Sequence, residues 1–168
     1  MRILLVVAAI AAMILCVVAI GALLPKRHVV SRSAVDRATP EQLFALIAGP
    51  QTWRPEVSQF EVLPSVDGRE LQRETTRDGT ITYEILDRVP PKSLKRRIAT
   101  PNLPYSGAWT FALEGNGANT NVRITEDGEI YNPVFRFVSR FILGQTHTID
   151  NYLRALGKTT GQEVVVTD

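Results

Sequence analysis

From Pro64 to Ile130 the chain is broken at short intervals by residues that suit tight turns, at Pro64–Gly68, Asp78-Gly79, Pro90-Pro91, Pro101–Pro104 and Gly115–Gly117. Between the breaks, apolar and polar side chains alternate. A period of two turns one side of each segment inward and the other outward, which marks half-buried strands rather than helices. Ile81, Tyr83, Ile85 and Val89 share one parity, Trp109, Phe111 and Leu113 a second, and Val122, Ile124 and Ile130 a third. The spacing predicts an antiparallel meander of about six strands, with Asp78-Gly79 as a two-residue hairpin turn whose positive φ those residues tolerate.

A sheet with one apolar face needs a cover, and Asn132–Lys158 is the stretch long enough to supply it. Pro133 suits a first helical position, and Phe135, Val138, Ile142, Ile149, Leu153 and Leu156 recur at helical spacing. Gly144 interrupts this stripe, so the helix divides into two pieces hinged there, and Gly157 offers a C-terminal stop. Phe137 and Phe141 widen the apolar surface of the first piece, which fits contact with a ligand or lipid surface as well as ordinary core packing. The fold class is therefore α+β: a curved antiparallel sheet wrapped round a closing helix, with a cavity between them.

Ahead of the meander, His28–Asp36 alternates as a first strand. Thr39-Pro40-Glu41-Gln42 then has the form of a capping box opening a helix whose buried face is Leu43, Phe44 and Ile47. Gly49-Pro50 ends that helix, Trp53-Arg54-Pro55-Glu56 forms a second helical turn, and a strand follows at Phe60–Leu63. The tail Gln162–Asp168 is expected to be a frayed, flexible end.

Ile3–Leu24 is 22 residues without a charge, and as a helix it spans about 33 Å, enough for a bilayer core. A secretory signal is the competing reading, because Ala19-Ile20-Gly21 has the form of a cleavage site. Signal cores run to roughly 7–15 apolar residues, and the longer run here favours a retained single-pass anchor. The expected division is an anchor at 1–25, a ligand-binding domain at 26–161 and the tail at 162–168. Lys26, Arg27, Arg32 and Arg37 against Arg2 favour a cytoplasmic location for the soluble domain.

The balance of 19 Lys+Arg against 17 Asp+Glu, with no basic run interleaved with aromatics, excludes nucleic acid as a partner. The lone Cys16 lies in the apolar run, leaving no thiol elsewhere for a disulfide, a zinc cluster or a nucleophile. No Gly-rich nucleotide loop, zinc-protease helix or serine nucleophile elbow occurs, so neither metal nor cofactor is expected.

Candidate chemistry is sparse. His147 stands three residues before Asp150, a spacing that fits a general acid/base pair or a surface pair. Arg96 shares the parity of Leu94 and Ile98, and Glu126 that of Val122 and Ile124. If both point inward they neutralise each other, or Arg96 holds the acidic head group of a ligand, whereas a bulge or strand end puts either in solvent. Tyr83, Tyr105, Trp109 and Phe111 suit pocket lining or core packing equally.

Three segments, Ala38–Ile47, Trp53–Glu56 and Gly128–Arg136, resemble the START-like superfamily that includes polyketide cyclase/dehydrase and coenzyme Q-binding proteins, often called SRPBCC. The resemblance extends over Val29–Leu156. It implies a helix-grip fold with a deep, largely apolar pocket between sheet and final helix, which in different members holds lipids, polyketides, hormones or quinones. It also implies that Trp53 closes the pocket mouth. The expected ligand-binding set is Trp53, Tyr83, Arg96, Tyr105, Trp109, Phe111, Glu126 and Phe135, with His147 and Asp150 as candidate catalytic residues. The expected function is a membrane-anchored binding or carrier protein for a hydrophobic small molecule of lipid, polyketide or quinone type. The alternatives are an aromatase/cyclase or dehydrase-type enzyme using the same pocket, and a structural component of a membrane complex. A convergent acid/base pair facing an apolar pocket marks the enzyme, a pocket without one the carrier, and a filled core the structural role.

Overall fold

The apolar run at the amino terminus is helical: the computed structural model, which describes residues 2–168, has α1 at Arg2–Leu23 with its side chains almost wholly exposed. It is long and apolar enough to cross a membrane, a test that a signal sequence also passes. After β1 (Arg27–Asp36), α2 (Pro40–Ala48) starts at the capping box. The Gln42 N–H donates to the Thr39 hydroxyl at 3.3 Å, and the Thr39 N–H donates to Gln42 Oε1 at 3.0 Å. A 3-10 turn follows at Gln51–Trp53, slightly earlier than Trp53–Glu56.

Strands β2 (Val57–Val66), β3 (Arg69–Thr76), β4 (Gly79–Val89), β5 (Ser93–Ile98), β6 (Tyr105–Asn116) and β7 (Asn119–Ile130) form the antiparallel meander. With β8 (Val166–Thr167) they make one open curved sheet of order β2-β3-β4-β5-β6-β7-β1-β8. The turn with both residues at positive φ is Asp67-Gly68, at 50° and 76°, and not Asp78-Gly79. Between β3 and β4 the turn residues are Arg77 and Asp78, because the Asp78 N–H donates to the Thr76 hydroxyl at 3.1 Å and Gly79 already pairs with Thr76. A register shift between Ile85 and Asp87 carries Val89 out of the Ile81-Tyr83-Ile85 parity and into solvent.

The closing segment is two helices, as Gly144 predicts. Asn132 Oδ1 accepts from the Val134 and Phe135 N–H groups at 2.8 and 3.2 Å and starts α3 (Pro133–Val138). One π-helical turn, Ser139–Leu143, extends it, and Gly144 at φ 83° ends it before α4 (His147–Thr159). The two pieces do not share a buried stripe. Ile149, Leu153 and Leu156 on α4 are fully buried, whereas Phe135 and Ile142 are 48% and 67% exposed. Only α4 grips the sheet, because the break at Gly144 lets α3 lie against α1 instead.

Residues 162–168, expected to fray, instead return to the sheet edge, where Val166 and Thr167 pair with Ala34 and Ser33. Buried Asp36 draws them there: its carboxylate accepts from the Thr160 hydroxyl at 2.8 Å and from the Gln162 side-chain amide, and Val164 and Val166 then pack on the core. That core joins Leu94, Phe111, Leu113 and Ile124 on the sheet to Leu43 and Ile47 on α2 and to Ile149, Leu153 and Leu156 on α4. Phe111 is its largest fully buried side chain. Phe111→Ala should cost about 3–5 kcal/mol in chemical denaturation of the full chain. A loss below about 1 kcal/mol would mean that α4 collapses into the gap.

Candidate functional site

Parity and register set three inward residues in one row across the sheet: Arg96 on β5 opposite Trp109 on β6, and Trp109 opposite Glu126 on β7. Between this row and the segment from α3 to the start of α4 lies a cavity of about 470 Å³, a size typical of small-molecule sites. Ile81, Tyr83, Ile98, Tyr105 and Ile130 supply apolar surface from the strands, and Phe135, Val138 and Leu143 supply it from the helical side.

Arg96 does point inward, and its Nη1 donates to Glu74 Oε1 at 2.6 Å, with both side chains almost fully buried. Glu74 Oε2 accepts from Arg54 Nη1 at 2.9 Å, and Arg54 also pairs with Glu56. The Arg96 guanidinium stacks 4.4 Å from the centre of the Tyr83 ring, a cation–π contact. Burial works against the Arg96 charge, but the nearby Glu74 carboxylate and the facing Tyr83 and Tyr152 hydroxyls more than offset it, and its pKa is raised. Burial pushes the Tyr83 phenol up to about 12, with the Arg96 charge opposing. Burial likewise raises Tyr105 and Tyr152, and the Tyr152 hydroxyl donates to Gln51 Oε1 at 3.0 Å.

At the other end of the row, Glu126 Oε2 accepts from Trp109 Nε1 at 2.9 Å, and Glu126 Oε1 lies 3.1 Å from His28 Nε2. His28 and Glu126 both line the cavity. Arg96 and Glu126 do not neutralise each other, because two strand spacings put them roughly 10 Å apart with Trp109 between them. Each has found its own partner. The cavity thus has a basic end and a His–carboxylate end.

Tyr83, Arg96, Tyr105, Trp109, Glu126 and Phe135 all reach the cavity wall. Phe111 and Trp53 do not. Phe111 lies under α4 in the core, and Trp53 packs edge-on against Tyr152 with its indole N–H donating to Leu46 O at 3.0 Å, so it does not close the mouth. His147 also reaches the wall, but its Nε2 meets the Asn151 side-chain amide at 3.0 Å, while Asp150 binds Arg32 Nε at 2.9 Å. The expected His147–Asp150 pair is therefore replaced by two separate contacts, because Arg32 on β1 reaches the carboxylate first. The sequence reading missed His28, Arg54 and Glu74. Extending the Val30-Arg32-Ala34 parity by one step reaches His28, but on β3 the inward residues are Gln72 and Glu74, so an apolar pattern cannot find them. Among the described residues no group of three or more His, Cys, Asp or Glu side chains is arranged to hold a metal ion.

An open antiparallel sheet curved round a C-terminal helix, with a cavity between the two, defines a START-like helix-grip protein. Residues 27–158 match the family described as polyketide cyclase/dehydrase and lipid transport, and the chain belongs to it. No curated protein matches the chain. Among solved structures, it is similar to a START superfamily protein from Mycobacterium smegmatis at 15% identity and TM-score 0.62, covering 78% of this chain and 95% of that one. A conserved protein from Geobacillus kaustophilus gives 14% identity and TM-score 0.64 over 84% of this chain and all (100%) of that one. The di-domain ARO/CYC StfQ of the steffimycin biosynthetic pathway gives 11% identity and TM-score 0.60 over 80% of this chain and 51% of that one. At such identities the likeness shows the fold alone.

The raised Tyr83 pKa has a pH consequence. With the folded value near 12 and the ordinary value at 10.0, the stability tied to the neutral phenol is intact below pH 10 and is lost as pH rises through 12. Ultraviolet titration of Tyr83→Phe against the wild type should remove one late-ionising phenol. A difference spectrum centred near pH 10 would instead mean that Tyr83 meets water freely.

Proposed function

We propose that this protein binds and carries a hydrophobic small molecule beside a bilayer, with residues 1–25 retained as a single-pass anchor and the domain from residue 26 onward on the cytoplasmic side. One observation carries the reading: the helical wall of the cavity is the segment that lies on the apolar helix. Gly21 of α1 comes so close to the Pro133 carbonyl that no Cβ would fit between them, and Arg136 Nη1 donates to Leu24 O at 2.7 Å. Phe141 and Ile142, next along the same wall and outside the cavity lining, expose large apolar surface, as a segment bordering lipid requires. The family description includes lipid transport, which agrees with a cargo drawn from a bilayer.

A second reading, an enzyme of the cyclase or dehydrase kind, is favoured by one feature, the His28–Glu126 pair facing the cavity. An imidazole beside a carboxylate is the kind of pair that general acid/base chemistry uses.

Carbonate-washed membranes should retain the full chain, and recovery of a soluble form beginning near Ala22 would overturn the anchor. Mass spectrometry of the detergent-extracted protein should find a copurifying hydrophobic molecule, and Trp109→Ala should weaken its retention by about tenfold or more while the domain stays folded. Binding should survive His28→Gln. If the wild type converts its bound molecule, and that change lowers the rate by about 100-fold or more, the carrier reading gives way to the enzyme.

A further inference from the structure

Two guanidiniums line the Tyr83 end of the cavity, and the buried charges there do not cancel. Arg96 and Glu74 are only 3% and 2% exposed, and Arg54 is 12% exposed, whereas Glu56, the other partner of Arg54, is 47% exposed. Water screens Glu56, so Arg54 and Arg96 share a single buried carboxylate. Both oxygens of Glu74 are already engaged, one by each arginine. Arg96 Nε is buried without any hydrogen-bond partner. The next carboxylate along the row, Glu126, is held by His28 and Trp109 two strands away. Ion pairing accounts for Arg96 with Glu74 and for Arg54 with Glu74 and Glu56, but it does not account for the unused Arg96 donor or for an apolar cavity opening onto both arginines.

We propose that the Arg54–Arg96 end of the cavity is an anion subsite, and that the ligand is an amphipathic molecule with one acidic group of the carboxylate type, inserted acid first. The proposal rests on the cavity being the ligand site. A carboxylate presents two acceptor oxygens in the plane that a guanidinium fork matches, and supplies the negative charge that Glu74 alone does not. Tyr83, neutral and stacked on Arg96, adds a phenol to the same end, while Trp109 and Phe135 offer flat apolar surface to the body of the molecule.

The test compares two probes with one skeleton, 2-naphthoate and 2-naphthalenemethanol, by calorimetry on the full chain in lipid nanodiscs, with empty nanodiscs as the blank. The wild type should bind the acid about tenfold or more tightly than the alcohol. The charge-neutral double variant Arg96→Gln, Glu74→Gln should lower that preference to about twofold or less. Equal binding of acid and alcohol by the wild type overturns the anion subsite and leaves the carrier reading standing. No binding of either probe, with no copurifying molecule, overturns both. If circular dichroism finds the double variant unfolded, 2-naphthoate labelled with carbon-13 at the carboxyl decides on the wild type alone. The bound carboxyl should stay ionised to lower pH than the free acid, and a raised value, as burial without a cation produces, overturns the proposal.

Discussion

A helix of 13 residues is about 20 Å long, while 8 strands side by side make a sheet roughly 35 Å wide. One such helix cannot cover the whole inner face, and the cavity follows from that mismatch. Where α2 and α4 lie, Leu94, Phe111, Leu113 and Ile124 are sealed into core. Beyond it, Ile81, Tyr83, Ile98 and Ile130 face a space roofed by α3 and its π turn. That roof leans on α1 rather than on the core, so its outer apolar residues stay exposed while its inner ones line the cavity.

The uncovered part of the sheet is also where the inward charges are. A charge in an apolar interior is tolerated only with a partner close by: Arg96 and Arg54 share Glu74, and the Glu126 carboxylate lies within hydrogen-bond distance of His28. Trp109 keeps the two groups apart and contributes a hydrogen bond to one of them. Such pairs add little stability compared with apolar packing of the same volume. Their effect is to give a mainly hydrophobic cavity two chemically different ends.

Several elements were legible because their causes are local. The Thr39–Gln42 box, the meander and the break at Gly144 each depend on residues within a few positions of one another. Parity allows an inward aim for Arg96 and Glu126, and the strand register fixes it. Other features depend on distant partners. Trp109 and Phe111 share a strand face two residues apart and both meet Tyr152 of α4, yet Trp109 also lines the cavity whereas Phe111 is wholly core. Helical spacing sets Asp150 three residues from His147, but its carboxylate is taken by Arg32, which is 118 residues away in sequence. Glu74 was invisible because β3 turns Gln72 and Glu74 inward, against the usual pattern.

By itself, the sequence determined the periodicities: an uncharged helix long enough to cross a bilayer, strands with a two-residue repeat, and a closing segment divided at Gly144. These follow from backbone geometry and side-chain polarity, which act over a few residues. Only the tertiary structure decided which inward positions became core and which became cavity wall, and which charge met which. Burial depends on the layer that covers a residue, and ion pairing on the strand order that brings His28 to Glu126 and Arg96 to Glu74. Neither is a property of any local stretch of chain.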